Sequence, residues 1–281
     1  MTIATPVVVP TYASPLFGTM QNPFTNEYLE QELQFYGTHP DAKKGGVVFK
    51  QISGRSIIQV SDYFNRNMRL DVPEIPGVLL DGELQMSLSF MEAQSQWVPI
   101  EAAEGVVVTL GLGLGYYMAR VMAKEDVDVV YVFEQNQDII DIVTERFSDR
   151  MGFEKVEFFV GDAREQFVNF ERVDLVYADI YPTMLPDEVV SDMDLFHRNN
   201  ELSHYHFWGM EHVLLDGLID GEIDQGELDC LSRLLIAMWQ ATPLGTDEED
   251  GDMGNMSDLY EKKCYGDFLT LALETIARHN Y

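Results

Sequence analysis

Val106-Val107-Val108-Thr109-Leu110-Gly111-Leu112-Gly113-Leu114-Gly115 is a β-branched run that closes on three alternating glycines. It reads as a buried strand, a tight turn and the start of a helix. Glycine suits such a turn because the backbone there visits positive φ, and because a ligand can approach a residue that lacks a Cβ. The following helix, from Tyr116 to about Lys124, is expected to aim its first amides at that ligand. A second apolar run, Val127 to Phe133, ends on Glu134, about twenty residues beyond the glycines. An acid at that offset stands at the tip of the second strand, where it can accept both hydroxyls of a ribose.

The glycine spacing excludes two other nucleotide loops. The dinucleotide fingerprint G-x-G-x-x-G needs a third glycine where this chain has Tyr116 or Met118. A Walker A loop needs G-K-[S/T] at its end, and no lysine lies near. The strand pattern continues downstream, and each strand ends on an acid. Val156 to Val160 runs into Gly161-Asp162-Ala163, and Val173 to Ala178 runs into Asp179.

The G-x-G-x-G form resembles motif I of class I S-adenosylmethionine-dependent methyltransferases, and the later motifs follow in that family's order. The resemblance covers roughly residues 105–209. It implies that Gly111, Leu112, Gly113 and Gly115 hold the methionine half of the cofactor. By the same resemblance Glu134, with Gln135, holds the ribose, and Asp162, with Ala163, the adenine. Asp179, in Asp179-Ile180-Tyr181-Pro182, falls at motif IV, beside the reactive sulfonium. A carboxylate there can position or deprotonate an acceptor, and Tyr181 can form a wall of the acceptor pocket. One departure is Thr109, where the family often has an acid; this weakens the expected contact to the methionine end. Asp162 also suits the N-cap of a helix beginning near Arg164.

Further upstream, Leu80-Asp81-Gly82-Glu83-Leu84-Gln85 resembles the L-D-G-x-x-Q segment of spermidine synthases. In that family it belongs to a small β-rich domain ahead of a methyltransferase-like core, which implies a cofactor contact for Gln85. The same six residues also read as a plain Asp-Gly hairpin. The resemblance is incomplete. Spermidine synthases carry D-x-x-D-P after the fourth strand, whereas Asp179-Ile180-Tyr181-Pro182 keeps one acid and lacks the second.

At 281 residues with 46% hydrophobic and 11% aromatic residues, the chain is a folded globular protein with a sizeable core. No stretch has the eighteen or so apolar residues of a membrane helix. The N-terminus has no basic region before its Val-Val-Val run, and Cys230 and Cys264 do not make a disulfide framework. These features point to a cytoplasmic, reduced protein. The formal charge is −30, with 18 basic against 48 acidic residues. Polyanion binding needs cationic side chains to release counterions, so nucleic acid and anionic membranes are disfavoured as partners. A small-molecule or protein substrate is expected, and assembly into a homo-oligomer is left open.

The predicted organisation has three parts. Residues 1–104 form an N-terminal α+β region, with a helix over Asn26–Tyr36, a hairpin of Val47–Ile52 with Arg55–Val60, breaks at Pro73 and Pro76-Gly77, strands on either side of Asp81-Gly82, and a helix from about Ser87 to Ala103. Residues 105–209 form the Rossmann-like core, with a fifth strand at Ser203–Trp208 and strand order 3-2-1-4-5. Residues 210–281 form a helical C-terminal region in place of the family's last strands.

Two constellations are weighed and set aside. His197, His204, His206 and His212 match no metal-ligand spacing, although one of them near the fifth strand's end suits a general base. Asp216 to Glu227 fails the EF-hand register, so no metal is expected. The sequence therefore predicts an S-adenosylmethionine-dependent methyltransferase. A spermidine-synthase-like aminopropyltransferase is the alternative, and a non-catalytic cofactor-binding or assembly module the second alternative.

Overall fold

The computed structural model describes residues 26–53, 74–184 and 188–212, with shorter pieces at 11–14, 18–21, 60–61 and 67–68 and the single residues Pro23, Tyr63 and Pro186. The C-terminal helices predicted beyond residue 212, both cysteines and the acidic run Asp247–Asp252 lie outside the described residues.

Five strands form the central sheet: β9 (Gly105–Leu110), β10 (Val127–Glu134), β11 (Val156–Val160), β12 (Val173–Ala178) and β13 (Leu202–Phe207). Their spatial order is β11-β10-β9-β12-β13, and every pair is parallel. This is the predicted order 3-2-1-4-5. The central strands β9 and β12 are buried along most of their length, as expected for apolar runs covered on both faces, whereas the edge strand β11 stays partly exposed. Helices α4 (Tyr116–Met122), α5 (Gln137–Phe147), α6 (Ala163–Gln166) and α7 (Glu188–Asn199) make the crossovers. The chain doubles back between β9 and β12, so a crevice opens at their carboxyl ends.

The N-terminal region starts with a two-stranded ribbon, β1 (Thr11–Ser14) with β2 (Gly18–Gln21), and then helix α1 (Asn26–Tyr36). A four-stranded antiparallel sheet follows, ordered β3 (Ala42–Lys44), β4 (Val47–Ser53), β7 (Glu74–Leu80), β8 (Glu83–Ser87). The small ribbon of β5 (Val60–Ser61) and β6 (Asn67–Met68) completes it. Of the predicted hairpin of Val47–Ile52 with Arg55–Val60, residues 54–59 lie outside the described residues, and Val60 pairs with Met68. Gly45-Gly46 makes the turn instead, so β4 pairs with β3 on one side and along its whole length with β7 on the other.

Pro76-Gly77 does not break the chain either, because both residues lie inside β7. The Pro76 carbonyl accepts from Leu88 just past the end of β8, and the N–H that proline lacks would point the same way, where the ladder has already ended. The Asp81-Gly82 turn is formed as predicted, with φ of 52° and 89°, the pattern of a tight type I′ hairpin.

The single helix expected over Ser87–Ala103 is two short ones, α2 (Phe90–Ser95) and α3 (Trp97–Ala102). Pro99 sits in the first turn of α3, where its missing N–H is tolerated; inside one continuous helix it would have broken the ladder. Helix α1 braces the core. The Tyr36 hydroxyl donates to the Leu114 carbonyl in the glycine loop (2.9 Å), and the Tyr116 hydroxyl donates to the buried Glu32 carboxylate (2.7 Å).

Candidate functional site

The carboxyl ends of β9, β10 and β12, together with β8 and α2, enclose a cavity of about 630 Å³. Of the residues singled out in the sequence, Gln85, Gly111, Leu112, Gly113, Glu134, Gln135, Ala163, Asp179 and Tyr181 line it. Gly115 and Asp162 do not. Gly115 begins α4 at a φ of 76° and packs against Val143. Asp162 caps α6, accepting from the Arg164 amide (2.9 Å) through one oxygen, while its side chain remains 37% exposed. The helix-capping role read for Asp162 is thus realised.

The glycine loop differs from expectation in one respect. Its amides are already engaged within the protein. Gly111 donates to Phe133, Gly115 to Leu112, Leu112 to Glu134 (3.0 Å), and Leu114 to the Met86 sulfur (3.3 Å). Helix α4 has only seven residues. The glycines are needed as much for close packing as for ligand approach. A Cβ on Gly111, at φ 95°, would run into the Asp179 carbonyl, and one on Gly113, at φ 50°, would run into the Met86 sulfur. A thioether is a weak acceptor, so the Leu114 amide is the donor most readily given up to a ligand.

Glu134 takes the Leu112 amide on one oxygen and the Asn136 amide on the other (2.8 Å). Burial pushes its carboxyl up, and these backbone donors pull it back. The Gln135 and Gly113 amides also face this carboxylate, so a ligand hydroxyl would have to share its oxygens with backbone donors.

The other end of the cavity holds two acids, one of which the sequence reading missed. Asp179 follows β12, where its amide donates to Leu110 (2.9 Å). Glu92 projects from α2 and accepts from the Gln96 side chain. Burial moves the Asp179 carboxyl from 3.8 up to about 6, opposed by the neighbouring Tyr177 hydroxyl. Glu92 is raised well above the usual carboxylate range, first by burial and then by the charge of Asp179. The signal was present in the sequence: Glu92 is the only charged residue between Glu83 and Glu101, a lone acid in a stretch that otherwise reads as core.

Aromatic residues close this end. Tyr117 and Tyr177 meet with ring centroids 4.6 Å apart, and Trp208 follows β13. Tyr181 forms a wall as expected. Its hydroxyl, however, lies against Tyr205 and Asp192, and burial followed by the Asp192 charge keeps it protonated. Asp192 is held by a two-pronged ion pair with Arg164 (2.8 and 2.6 Å). Among the described residues no lysine, arginine or histidine lines the cavity, while three carboxylates do.

The histidines serve elsewhere. His206 and Glu211 form a buried pair (3.5 Å), Tyr63 donates to Glu211 (2.7 Å), and His212 meets the Tyr63 ring edge-on. None of them lines the cavity, and no described group of three metal-binding side chains comes together. No described helix is long and apolar enough to cross a membrane.

No protein-family model matches this chain, and no curated protein matches it in sequence. Solved structures do. One is a probable spermidine synthase from Corynebacterium glutamicum, at 15% identity over 59% of this chain and 61% of that one, with a TM-score of 0.38. Another is a putative RNA methyltransferase from Pyrococcus horikoshii, at 25% identity over 31% and 42%, with a TM-score of 0.25. A third is fibrillarin from Aeropyrum pernix, solved with natively bound S-adenosyl-L-methionine, at 22% identity over 34% and 42%, with a TM-score of 0.27. The chain spans less than two thirds of each. Its own all-parallel sheet, in the order 3-2-1-4-5, makes it a Rossmann-like α/β fold of the methyltransferase type.

Proposed function

We propose that this protein is a transferase that binds S-adenosylmethionine and passes its methyl group to a small-molecule or protein acceptor, not to nucleic acid. The observation that carries this reading is the single cavity end to end. A strand-tip acid, Glu134, is braced on a glycine loop at one side, and a second acid, Asp179, waits beyond it on the neighbouring strand. In this reading Glu134 and Gln135 hold the ribose, Gly161 and Ala163 border the adenine with Asp162 between them outside the lining, and the loop residues Gly111 to Leu114 lie along the methionine chain. The sulfonium, once bound, supplies an electrophilic carbon. The protein's part is to orient the acceptor, exclude water and take its proton at Asp179.

Aminopropyl transfer is the second reading, and Glu92 favours it. The acid missing after Asp179 in sequence is matched in space by one from α2. The lack of a described cation in the cavity also leaves the methionine carboxylate without a charged partner. Calorimetry decides the cofactor: S-adenosylhomocysteine should bind, and NAD and ATP should not. Turnover decides the reaction. Supplying decarboxylated S-adenosylmethionine with putrescine and detecting repeated release of methylthioadenosine would establish aminopropyl transfer and end the methyltransferase reading. Failure of any sulfonium nucleoside to bind would end both and leave a non-catalytic module.

A further inference from the structure

The β7–β8 ladder slips register by one residue, which leaves Gln85 out of the pairing and sets Met86 opposite the buried Val78. A bulge of this kind re-aims the side chains beside it. Met86 is turned onto the glycine loop, where its sulfur accepts the Leu114 amide at 3.3 Å. The thioether rests in the space that Gly113 leaves by lacking a Cβ. Tyr36 holds the same loop residue from the other side, its buried hydroxyl donating to the Leu114 carbonyl at 2.9 Å. The two holds are unequal. A carbonyl is a strong acceptor, whereas a thioether is a weak one on a flexible side chain. Met86 is half-buried and lines the cavity with Gly113 and Leu114, so small solutes there reach it.

We infer that Met86 is a displaceable stopper on the glycine loop and an oxidation site, so that a two-electron oxidant such as hydrogen peroxide shuts the nucleoside end of the cavity. The link to a nucleoside rests on the transferase reading; the stopper itself does not. In the reduced protein a ligand takes the Leu114 amide, and the thioether swings away. On oxidation the sulfur gives two electrons to the peroxide as its O–O bond breaks. One oxygen stays on sulfur and the other leaves as water with both hydrogens, so atoms and electrons balance. The sulfoxide oxygen is a polar acceptor in place of a weak one, and it adds bulk in a slot fitted to sulfur alone. The Leu114 amide is then pinned, and a ligand must break a stronger bond to reach it.

The test compares the full chain with Met86→Leu, a swap of similar volume that removes the acceptor and should leave folding intact. Both are treated with hydrogen peroxide and then with dithiothreitol, which restores thiols and leaves sulfoxides, and peptide mass spectrometry locates the added oxygen. Met151, 82% exposed, and Met91, in the same cavity lining, remain in both proteins as controls. Without ligand, deuterium exchange of the Leu114 amide, read by NMR, should quicken about two- to tenfold in Met86→Leu, the loss of one modest hydrogen bond. In the oxidised parent it should slow by a similar factor. By calorimetry, S-adenosylhomocysteine should bind Met86→Leu about two- to tenfold more tightly than the reduced parent. Peroxide should weaken the parent's affinity by about tenfold or more and leave that of the variant within about twofold. Equal exchange at Leu114 in parent, oxidised parent and variant, or equal peroxide sensitivity in the two proteins, would overturn the stopper. Failure of every sample to bind the nucleoside would instead count against the transferase reading, and the exchange rates alone would then decide for or against Met86.

Discussion

Glu134 has two structural tasks besides any ligand contact, because it caps the loop amide of Leu112 and the amide of Asn136. Glu134→Ala should therefore lower S-adenosylhomocysteine affinity at least tenfold, since each charge-assisted hydrogen bond is worth roughly 1.5–3 kcal/mol. Calorimetry showing unchanged affinity would remove Glu134 from the ribose site. Asp179 makes a prediction of a different kind. Its carboxyl ionises near 6 in the folded protein and near 3.8 ordinarily, so the folded state resists its ionisation. Stability from this group is whole below about pH 4 and is lost as pH rises through about 6. Asp179→Asn removes that loss. Denaturant unfolding should find the variant more stable than the parent by about 2–3 kcal/mol at pH 8 and indistinguishable near pH 4, even though turnover is lost. Glu92 and Tyr177 face the group from α2 and β12, and because the Asp179 charge helps to raise Glu92, the difference between the two proteins reports the acid pair and not Asp179 alone.

At the scale of elements, the glycine loop is held between a strand end and a hairpin, and its two inner glycines should respond unequally. At Gly111 an added Cβ meets the backbone of Asp179, which β12 fixes in place. At Gly113 it meets the Met86 side chain, a flexible thioether on β8 that can swing aside. Both substitutions cost about 1–2 kcal/mol for a left-handed alanine. Gly111→Ala should cost several kcal/mol beyond that and shift the acid it touches, whereas Gly113→Ala should stay near the backbone cost. Equal Tm losses in the two variants would show that β12 yields as easily as Met86.

For the molecule as a whole, −30 formal charges on 281 residues set the long-range behaviour. Self-repulsion opposes the compact state, and salt screens it over about 10 Å at 0.1 M. Thermal stability should rise steadily as salt increases from about 0.01 to 0.15 M. Electrophoretic or filter assays at about 0.15 M salt should find no retention of DNA or RNA. Micromolar retention with a steep salt slope would show a local cationic surface despite the net charge.

What the sequence determined by itself was local and periodic. Three alternating glycines and apolar runs of strand length marked the strands, and the acids that close three of them pointed to Glu134 and Asp179, because turn chemistry and side-chain alternation act between near neighbours in the chain; the order of the strands came with the resemblance to class I methyltransferases. The Asp81-Gly82 turn was legible for the same reason. What only the tertiary structure decided was who meets whom. The partner of β4 proved to be β7, reached across a long connection, in a sheet that buries Val47 and Phe49. Met86 came to lie on the glycine loop and Glu92 to face Asp179, through the way the N-terminal sheet and α2 pack over the carboxyl ends of the core. No sequence period encodes such a meeting. It arises when two surfaces far apart in the chain exclude water together, and that closure gives the cavity its pair of acids.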